Sequence, residues 1–511
     1  MNLRDLVDTS ARVAGTRARS EKIGLLADCL GRLSPAEREA GAAFLTGQLR
    51  QGRIGLGGAA IRQAMPPGPA SSPGLTVAGV DAAFEEISRL GGPGSAGARV
   101  QALAGILERA TKPEQDWLAR LVFGELRQGA QEGVLIEAVA RASGVPAPAV
   151  RRAAMLAGDL VRVAVASLNG GEPALGEFRL RLMSPVLPML AQAAEGVEEV
   201  LERHGRVALD YKLDGARIQV HRMDDEVRLF TRRLNDVTAA APELVEAVRA
   251  LPARQLVLDG EAIVLRGDGR PAPFQETMRR FGRRLDVERM RAELPLSAFY
   301  FDCLHLDGQD LIDAGTGERL RALHGLVPAS AQVPHMVADS VEPAREFIDR
   351  ALSAGHEGVV AKDLEAPYEA GRRGAGWLKL KPAHTLDLVI LAVEWGSGRR
   401  RGWLSNLHLG ARDPEGGFVM LGKTFKGMTD EMLAWQTEKL LGLETGREGH
   451  VVHVRPELVA EIAFDGLQAS PHYPGGLALR FARVKRYRPD KTAAQSDDIE
   501  TVRRIFEAQP G

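Results

Sequence analysis

A chain of 511 residues has room for about three domains, each able to bury its own core. Its 66 Lys and Arg against 67 Asp and Glu give a net charge of −1, which excludes a uniformly basic nucleic-acid binder, so any such surface must come from local clusters. The two cysteines, Cys29 and Cys303, exclude a disulfide framework and a four-cysteine zinc site, and no run of about 18 apolar residues predicts a membrane span.

The opening stretch MNLRDLVDTSARVAG is charged and lacks a long apolar run, so no secretory leader is expected and a cytoplasmic protein is the default. Residues 1–178 read as helical, with apolar residues at three- and four-residue spacing, as in Ile23, Leu26, Ala27 and Leu30. Ser34-Pro35 and Lys112-Pro113-Glu114 look like helix starts. PPGPASSPG at 66–74 reads as a linker. This half repeats itself: GQLRQG at 47–52 matches GELRQG at 124–129 in five of six positions. A duplicated helical hairpin kept for packing explains the echo. So does a pair of helix–loop elements whose backbone amides hold two phosphodiester backbones, and the two readings are compatible.

From about residue 180 short β-rich runs alternate with helices. Strands are expected at Val207–Tyr211, Ala216–Arg222, Val227–Thr231, Leu256–Leu265, Ser297–Leu304, Gly358–Lys362 and Trp377–Lys381. Helices are expected near Ala240–Ala250, Val287–Glu293, Glu318–Leu326 and Glu342–Ala354. This mixed α/β region ends near Pro382. Beyond it come strands at Leu386–Glu394, Asn406–Arg412, Phe418–Thr424, Val451–Val454, Val459–Ile462 and Ala478–Tyr487, with one helix at Asp430–Leu441. That pattern suits a small closed barrel of the oligonucleotide-binding (OB) kind.

Chemistry concentrates in these two later regions. Lys212-Leu213-Asp214-Gly215 lies between two predicted strands, and Asp214-Gly215 is a turn pair, so Lys212 is expected at the mouth of a hairpin. A lysine there can act as a covalent nucleophile once burial or neighbouring cations lower its pKa; alone, the tetrapeptide reads more readily as an ordinary surface lysine. Glu261 sits in the apolar run LVLDGEAIVL, where a carboxylate is costly unless it meets a cation. Phe301 alone reads as core, Lys379 and Lys381 alone as a solvated strand face, and Arg488 to Lys491 alone as a charged tail. Together, one lysine, two carboxylates, several cations and an aromatic ring fit nucleotidyl transfer to an enzyme amine.

The segments DYKLDGAR at Asp210, TRRLND at Thr231, LDGEAI at Leu258, FYFDCLHLDG at Phe299, EGVVAK at Glu357, WLKLK at Trp377 and RFARVKRYRPDK at Arg480 occur in the order seen in one family. With Pro188-Met189-Leu190-Ala191 and Pro273-Phe274-Gln275, they make the whole chain resemble the ATP-dependent DNA ligases that carry a helical DNA-binding domain first. The resemblance implies an all-α DNA-binding domain at 1–178, a nucleotidyltransferase (adenylation) domain at 179–382 and a β-barrel OB-fold domain at 383–511. It implies Lys212 as the adenylated nucleophile, and Asp210 on the adenine amino group, where the family usually has Glu. Arg217 and Arg232 would hold ribose and phosphate, and Phe301 would stack on the base. Arg373, Lys379 and Lys381 would bind the α-phosphate, with Arg373 chosen over Arg372 by counting back from Trp377. Glu261 would meet ribose or Mg²⁺, and Glu357 Mg²⁺. Arg488 to Lys491 would orient pyrophosphate when the barrel closes over the pocket.

The implied substrates are ATP and nicked double-stranded DNA, encircled by a monomer; a nucleoid association would follow in a bacterium. The rival readings differ in testable ways. An mRNA-capping guanylyltransferase shares the lysine pocket but not the long helical half. NAD-dependent ligases resemble a four-cysteine zinc pattern that two cysteines cannot supply. A non-catalytic DNA-binding scaffold would not keep so many polar residues in place.

Overall fold

The computed structural model describes residues 1–126, 128–282, 286–370, 376–381 and 384–508. Helices run from Leu3–Gly15 to Leu160–Leu175 and share one apolar core that extends from Leu3 to Leu175. Phe44 anchors it, edge-on to Phe84 at 6.3 Å and Trp117 at 6.0 Å. The helix Lys112–Phe123 starts on a capping box, in which the Thr111 N–H and hydroxyl both donate to buried Glu114. Residues 66–74 connect helices that enter one core, and Ala70 N–H donates to Ala110 O.

The glycines that bound the two repeated hexapeptides adopt alike conformations. Gly47 and Gly124 end helices in the left-handed conformation, with φ of 77° and 69°, and Gly52 and Gly129 turn the chain again at 67° and 70°. The two loops meet, since a Cβ on Gly47 would stand 3.4 Å from Leu126 Cβ.

The middle of the chain forms two five-stranded sheets. The strands are β1 (Gln192–Ala193), β2 (Val207–Tyr211), β3 (Ala216–Met223), β4 (Glu226–Thr231), β5 (Gln255–Val264), β6 (Leu296–Leu306), β7 (Gln309–Asp310), β8 (His335–Ala338), β9 (Val359–Asp363) and β10 (Trp377–Leu380). One sheet has the order β1-β10-β9-β2-β8 and the other β4-β3-β5-β6-β7. The expected hairpin is therefore wrong: β2 pairs with β8 and β9, β3 with β4 and β5, and residues 212–215 cross from one sheet to the other. Four consecutive buried residues, Val207 to Asp210, mark β2 as covered on both faces. Gly215 serves close approach, because a Cβ there would lie 2.6 Å from Ala262 O in β5.

The last region is strand-rich, with β11 (His384–Trp395), β12 (Leu404–Arg412), β13 (Phe418–Thr424), β14 (Glu444–Glu448), β15 (Val451–Val454), β16 (Val459–Phe464), β17 (Gly466–Ala469), β18 (Leu477–Arg480) and β19 (Arg483–Tyr487). The long strand β11 organises it: its first half pairs with β16, its second with β15, and β12 runs along its other edge. β16 also pairs with β19, while β17 and β18 form a separate hairpin. The single strand expected at Ala478–Tyr487 is broken at Phe481, whose φ is 55°. The helix Asp430–Leu441 lies between β13 and β14.

Candidate active site

The ends of two neighbouring strands, β2 and β9, tie down the start of the crossover. Lys212 N–H donates to Gly358 O at 2.8 Å, and Glu357 N–H returns a 3.0 Å bond to Lys212 O. Gly358 allows this, with φ of 132° and no room for a Cβ beside Leu380 O. The backbone ladder so formed delivers the Glu357 carboxylate to Lys212 Nζ, and its other oxygen takes Lys381 Nζ at 2.6 Å. Burial alone would push the Glu357 carboxyl up, but the two ammonium groups overcome it and hold the pKa below the usual carboxylate range.

Asp210, two residues before Lys212 and on the same face of β2, is buried against Lys362 Nζ at 2.6 Å. Lys362 also donates to Phe301 O at 2.6 Å and lies 4.9 Å over the Phe301 ring and 4.7 Å over that of Trp377. These two rings meet edge to face at 5.9 Å. Arg217 covers the same aromatic pair, 5.4 Å above Phe301 and 5.7 Å above Trp377. It holds Asp259 through Nε at 3.0 Å and Nη2 at 2.5 Å, and Met189 O at 2.6 Å. Burial opposes the Arg217 charge, yet Asp259 and Tyr368 reverse that effect and raise its pKa. The Tyr368 hydroxyl closes the network by donating to Asp259 at 2.6 Å and accepting from Met189 N–H at 3.0 Å.

Glu261 stands opposite Arg217 in the register of β3 and β5. Burial pushes its carboxyl up to about 8, against the pull of Lys212 and Arg217. Arg232, just after β4, lines a narrow cleft with Arg217 and Asp259. Lys379 is half-buried in β10, between buried Leu378 and Leu380. Arg373 and its alternative Arg372 lie outside the described residues.

The C-terminal motif makes its contacts within its own region in this structure. Arg488 and Lys491 bind Asp387 at 2.8 Å and 2.5 Å, and Arg488 also binds Asp490, so this cluster folds back on the start of β11. What reaches the crossover loop instead is Arg480, 3.3 Å from Asp214 Oδ2.

Sequence reasoning noted Lys362 and Asp259 among the polar strand residues but gave them no role, and it gave none to Tyr368 and Trp377. Lys362 was detectable by the argument applied to Glu261, since a charge inside an apolar strand needs a partner. Tyr368 lies in an irregular segment that carries no periodic signal.

Glu261 and Glu357 are hard oxygen donors, the kind Mg²⁺ takes in ones and twos together with substrate phosphates. Among the described residues no group of three or more His, Cys, Asp or Glu could hold a metal, so phosphate and water oxygens would have to complete the shell. The donor set fits Mg²⁺ on those terms. A cation at Glu357 would share it with, or replace, the two ammonium groups.

Three family models match the chain in order: DNA ligase N terminus at 54–140, ATP dependent DNA ligase domain at 188–381 and ATP dependent DNA ligase C terminal region at 400–491. The chain is 61% identical to a probable DNA ligase of Anaeromyxobacter sp. (strain Fw109-5) over 512 residues, covering 100% of this chain and 99% of that one. It is 55% identical to a probable DNA ligase of Mycobacterium marinum over 515 residues, covering 99% and 100%. The solved structure Pmar-Lig_PreS3 shares the fold at 18% identity and a TM-score of 0.60, over 94% of this chain and 99% of that one.

Proposed function

Because the chain belongs to the ATP-dependent DNA ligase family, we propose that it seals nicks in duplex DNA by passing AMP through Lys212. The enzyme is a DNA ligase that uses ATP. The single observation behind the proposed chemistry is that Lys212 meets Glu357 and Lys381 two residues along the chain from Asp210, which belongs to the cluster that Lys362 and Arg217 make over Phe301 and Trp377.

In the first step Lys212 Nζ attacks the α-phosphorus of ATP; a phosphoramidate N–P bond forms and pyrophosphate leaves. The 5′-phosphate of the nick then takes AMP from the lysine, and the 3′-hydroxyl attacks that phosphate and releases AMP. Asp210 accepts from the adenine amino group and Phe301 offers its face to the base. Adenine has to displace the Lys362 ammonium from the Phe301 and Trp377 rings. Arg217 and Arg232 hold ribose and phosphate. Lys379, Lys381 and Arg373 balance charge at the α-phosphate, and Glu357 holds the Lys212 ammonium in place until it gives up its proton. Mg²⁺ held by Glu261 and Glu357 would supply charge neutralisation at the phosphates.

We assign residues 1–178 to a helical DNA-binding domain, 179–382 to the adenylation domain and 383–511 to an OB-fold barrel, in a monomer that encircles the duplex. A contact between the two ends supports encirclement: Arg17 binds Asp430 at 2.7 Å and covers the Trp403 ring at 5.6 Å. The paired loops at 47–52 and 124–129 grip phosphates by their amides, since Arg50 is already held by Asp81 and Glu85. For Arg488 and Lys491 to reach pyrophosphate, the last domain turns away from the orientation seen here.

Labelling with α-labelled ATP, against GTP and NAD, followed by a nicked-duplex sealing assay, tests the reading. ATP alone should label the enzyme, and Lys212→Ala should take no label. A labelled band that survives this substitution refutes the assignment.

A further inference from the structure

The helix Ala147–Ala157 divides its side chains between two cores. Val150, Ala153 and Ala154 pack into the helical region, while Met155 and Leu156 join the cluster that contains Met189, Tyr368 and Trp377. Met155 is buried and accepts twice: its O takes Leu187 N–H at 2.9 Å, and its Sδ takes Ala370 N–H at 3.2 Å. Met189 Sδ takes the preceding amide, Glu369 N–H, at 3.4 Å. Two thioethers, one from the helical region and one from the segment before β1, thus hold two consecutive amides just after Tyr368. The Tyr368 hydroxyl accepts a 3.2 Å bond from Arg217 Nη2 in addition to its bonds with Asp259 and Met189. The end of the same helix also reaches the loop after β4. Gly158 has a φ of 63°, and a Cβ there would stand 3.0 Å from both Leu234 Cδ1 and Pro185 O, two residues along from Arg232.

A thioether is a weak acceptor, but its flexible stem lets it follow a donor that the fold has placed. A buried amide without an acceptor is costly, so the segment after Tyr368 stays where the two sulfurs are. Tyr368 in turn fixes Asp259 and Arg217, and Arg217 holds ribose and phosphate in the reaction proposed above; this inference rests on that reading. We propose that Met155 is a positioning residue for ATP, so that the helical region is a built-in wall of the nucleotide site and the charging of Lys212 depends on it even without DNA. The helical region then has two tasks, and the end of the helix Ala147–Ala157 carries the second.

The test compares full-length wild-type, Met155→Leu, Tyr368→Phe and doubly substituted enzymes. Leucine keeps the volume of the methionine and removes its acceptor. The readouts are the ATP dependence of Lys212 adenylation by α-labelled ATP without DNA, and the denaturant midpoint. Met155→Leu should raise the KM for ATP about fivefold while the maximal rate and the midpoint stay near wild type. Tyr368→Phe should raise KM about tenfold, and adding Met155→Leu to it should change KM by about twofold or less, since both act through one chain of contacts. A wild-type KM in Met155→Leu overturns the proposal, and so do fully multiplicative effects in the double variant. A rise in KM that comes only with a matching fall in maximal rate and midpoint also overturns it, because packing alone would give that result. Wild-type enzyme that takes no label overturns the ligation reading instead.

Discussion

Arg319 and Asp302 are wholly shielded from solvent, whereas Lys212 and Glu357 keep 26% and 19% of their side-chain surface exposed. The two pairs also differ in how completely they are satisfied. Arg319 donates to both Asp302 oxygens at 2.7 and 3.2 Å, and to Ala314 O, Ala366 O and Thr316 Oγ1. Every guanidinium N–H has a fixed acceptor, and the pair anchors β6, which carries Phe301, to the helix Thr316–Leu326. Glu357 instead divides its two oxygens between Lys212 and Lys381, so one carboxylate serves two ammonium groups. A saturated pair cannot exchange partners without leaving a buried charge. A shared and half-open one can give up a cation to a phosphate. Structure and chemistry thus use the same kind of contact at different degrees of saturation.

Removing half of the saturated pair should have the largest effect. Arg319→Leu leaves Asp302 buried and unpaired, and should cost about 3–5 kcal/mol of stability. Denaturant midpoints measure it, and a loss below about 1 kcal/mol would erase the contrast. Glu357→Ala should do the reverse. Its adenylation rate should fall about a hundredfold, with a raised Mg²⁺ requirement, while the denaturant midpoint stays nearly unchanged. Unchanged activity at low Mg²⁺ would count against any role for Glu357 at the metal.

Glu394 in β11 sharpens the comparison as a saturated carboxylate far from nucleotide chemistry. It accepts from Lys423 at 2.5 Å, Asn406 at 2.5 Å and His408 at 3.0 Å. Burial alone would raise its pKa, but these three bonds hold it down at about 2. Because the folded value lies below the unfolded one, the stability from Glu394 is present above about pH 4.3 and is lost as pH falls toward 2. Glu394→Gln should cost about 1–3 kcal/mol at neutral pH and less in acid. Urea titrations of both proteins at neutral and acid pH check the sign, and an equal cost at both would remove the charge from the explanation.

The same contrast shows what the sequence could reveal. Periodicity located β2 and the helices Val287–Glu293 and Asp430–Leu441 at their observed bounds, because local spacing encodes local structure. It misassigned the partner of β2, since a strand buried on both faces says nothing about which strand lies beside it. Ordered motifs picked out Lys212, Glu357, Lys381, Asp210, Arg217 and Phe301, which the fold gathers into one place. They also picked out Arg488 and Lys491, which the fold sends to Asp387, because a motif does not encode how one domain is turned against another. Asp302, a charge inside the apolar run FYFDCL, signals the need for a partner, but no spacing in the sequence names Arg319, 17 positions on.

The weakest ion pair considered joins the two ends of the molecule. Arg17 and Asp430 keep 54% and 47% of their side-chain surface exposed, so solvent screens them and Arg17 pays entropy to hold one geometry. The Trp403 face adds a cation–π contact of about 0.5–1 kcal/mol at such exposure. Arg17→Ala should therefore leave folding within about 0.5 kcal/mol of wild type. If the contact helps to close the protein around DNA, the same substitution should weaken nicked-duplex binding by about two- to fivefold at low salt, with the difference fading as salt rises. Binding isotherms at several ionic strengths supply the measurement. A salt-independent loss would assign the effect to Trp403 packing, and no loss at any salt would show that encirclement does not depend on this contact.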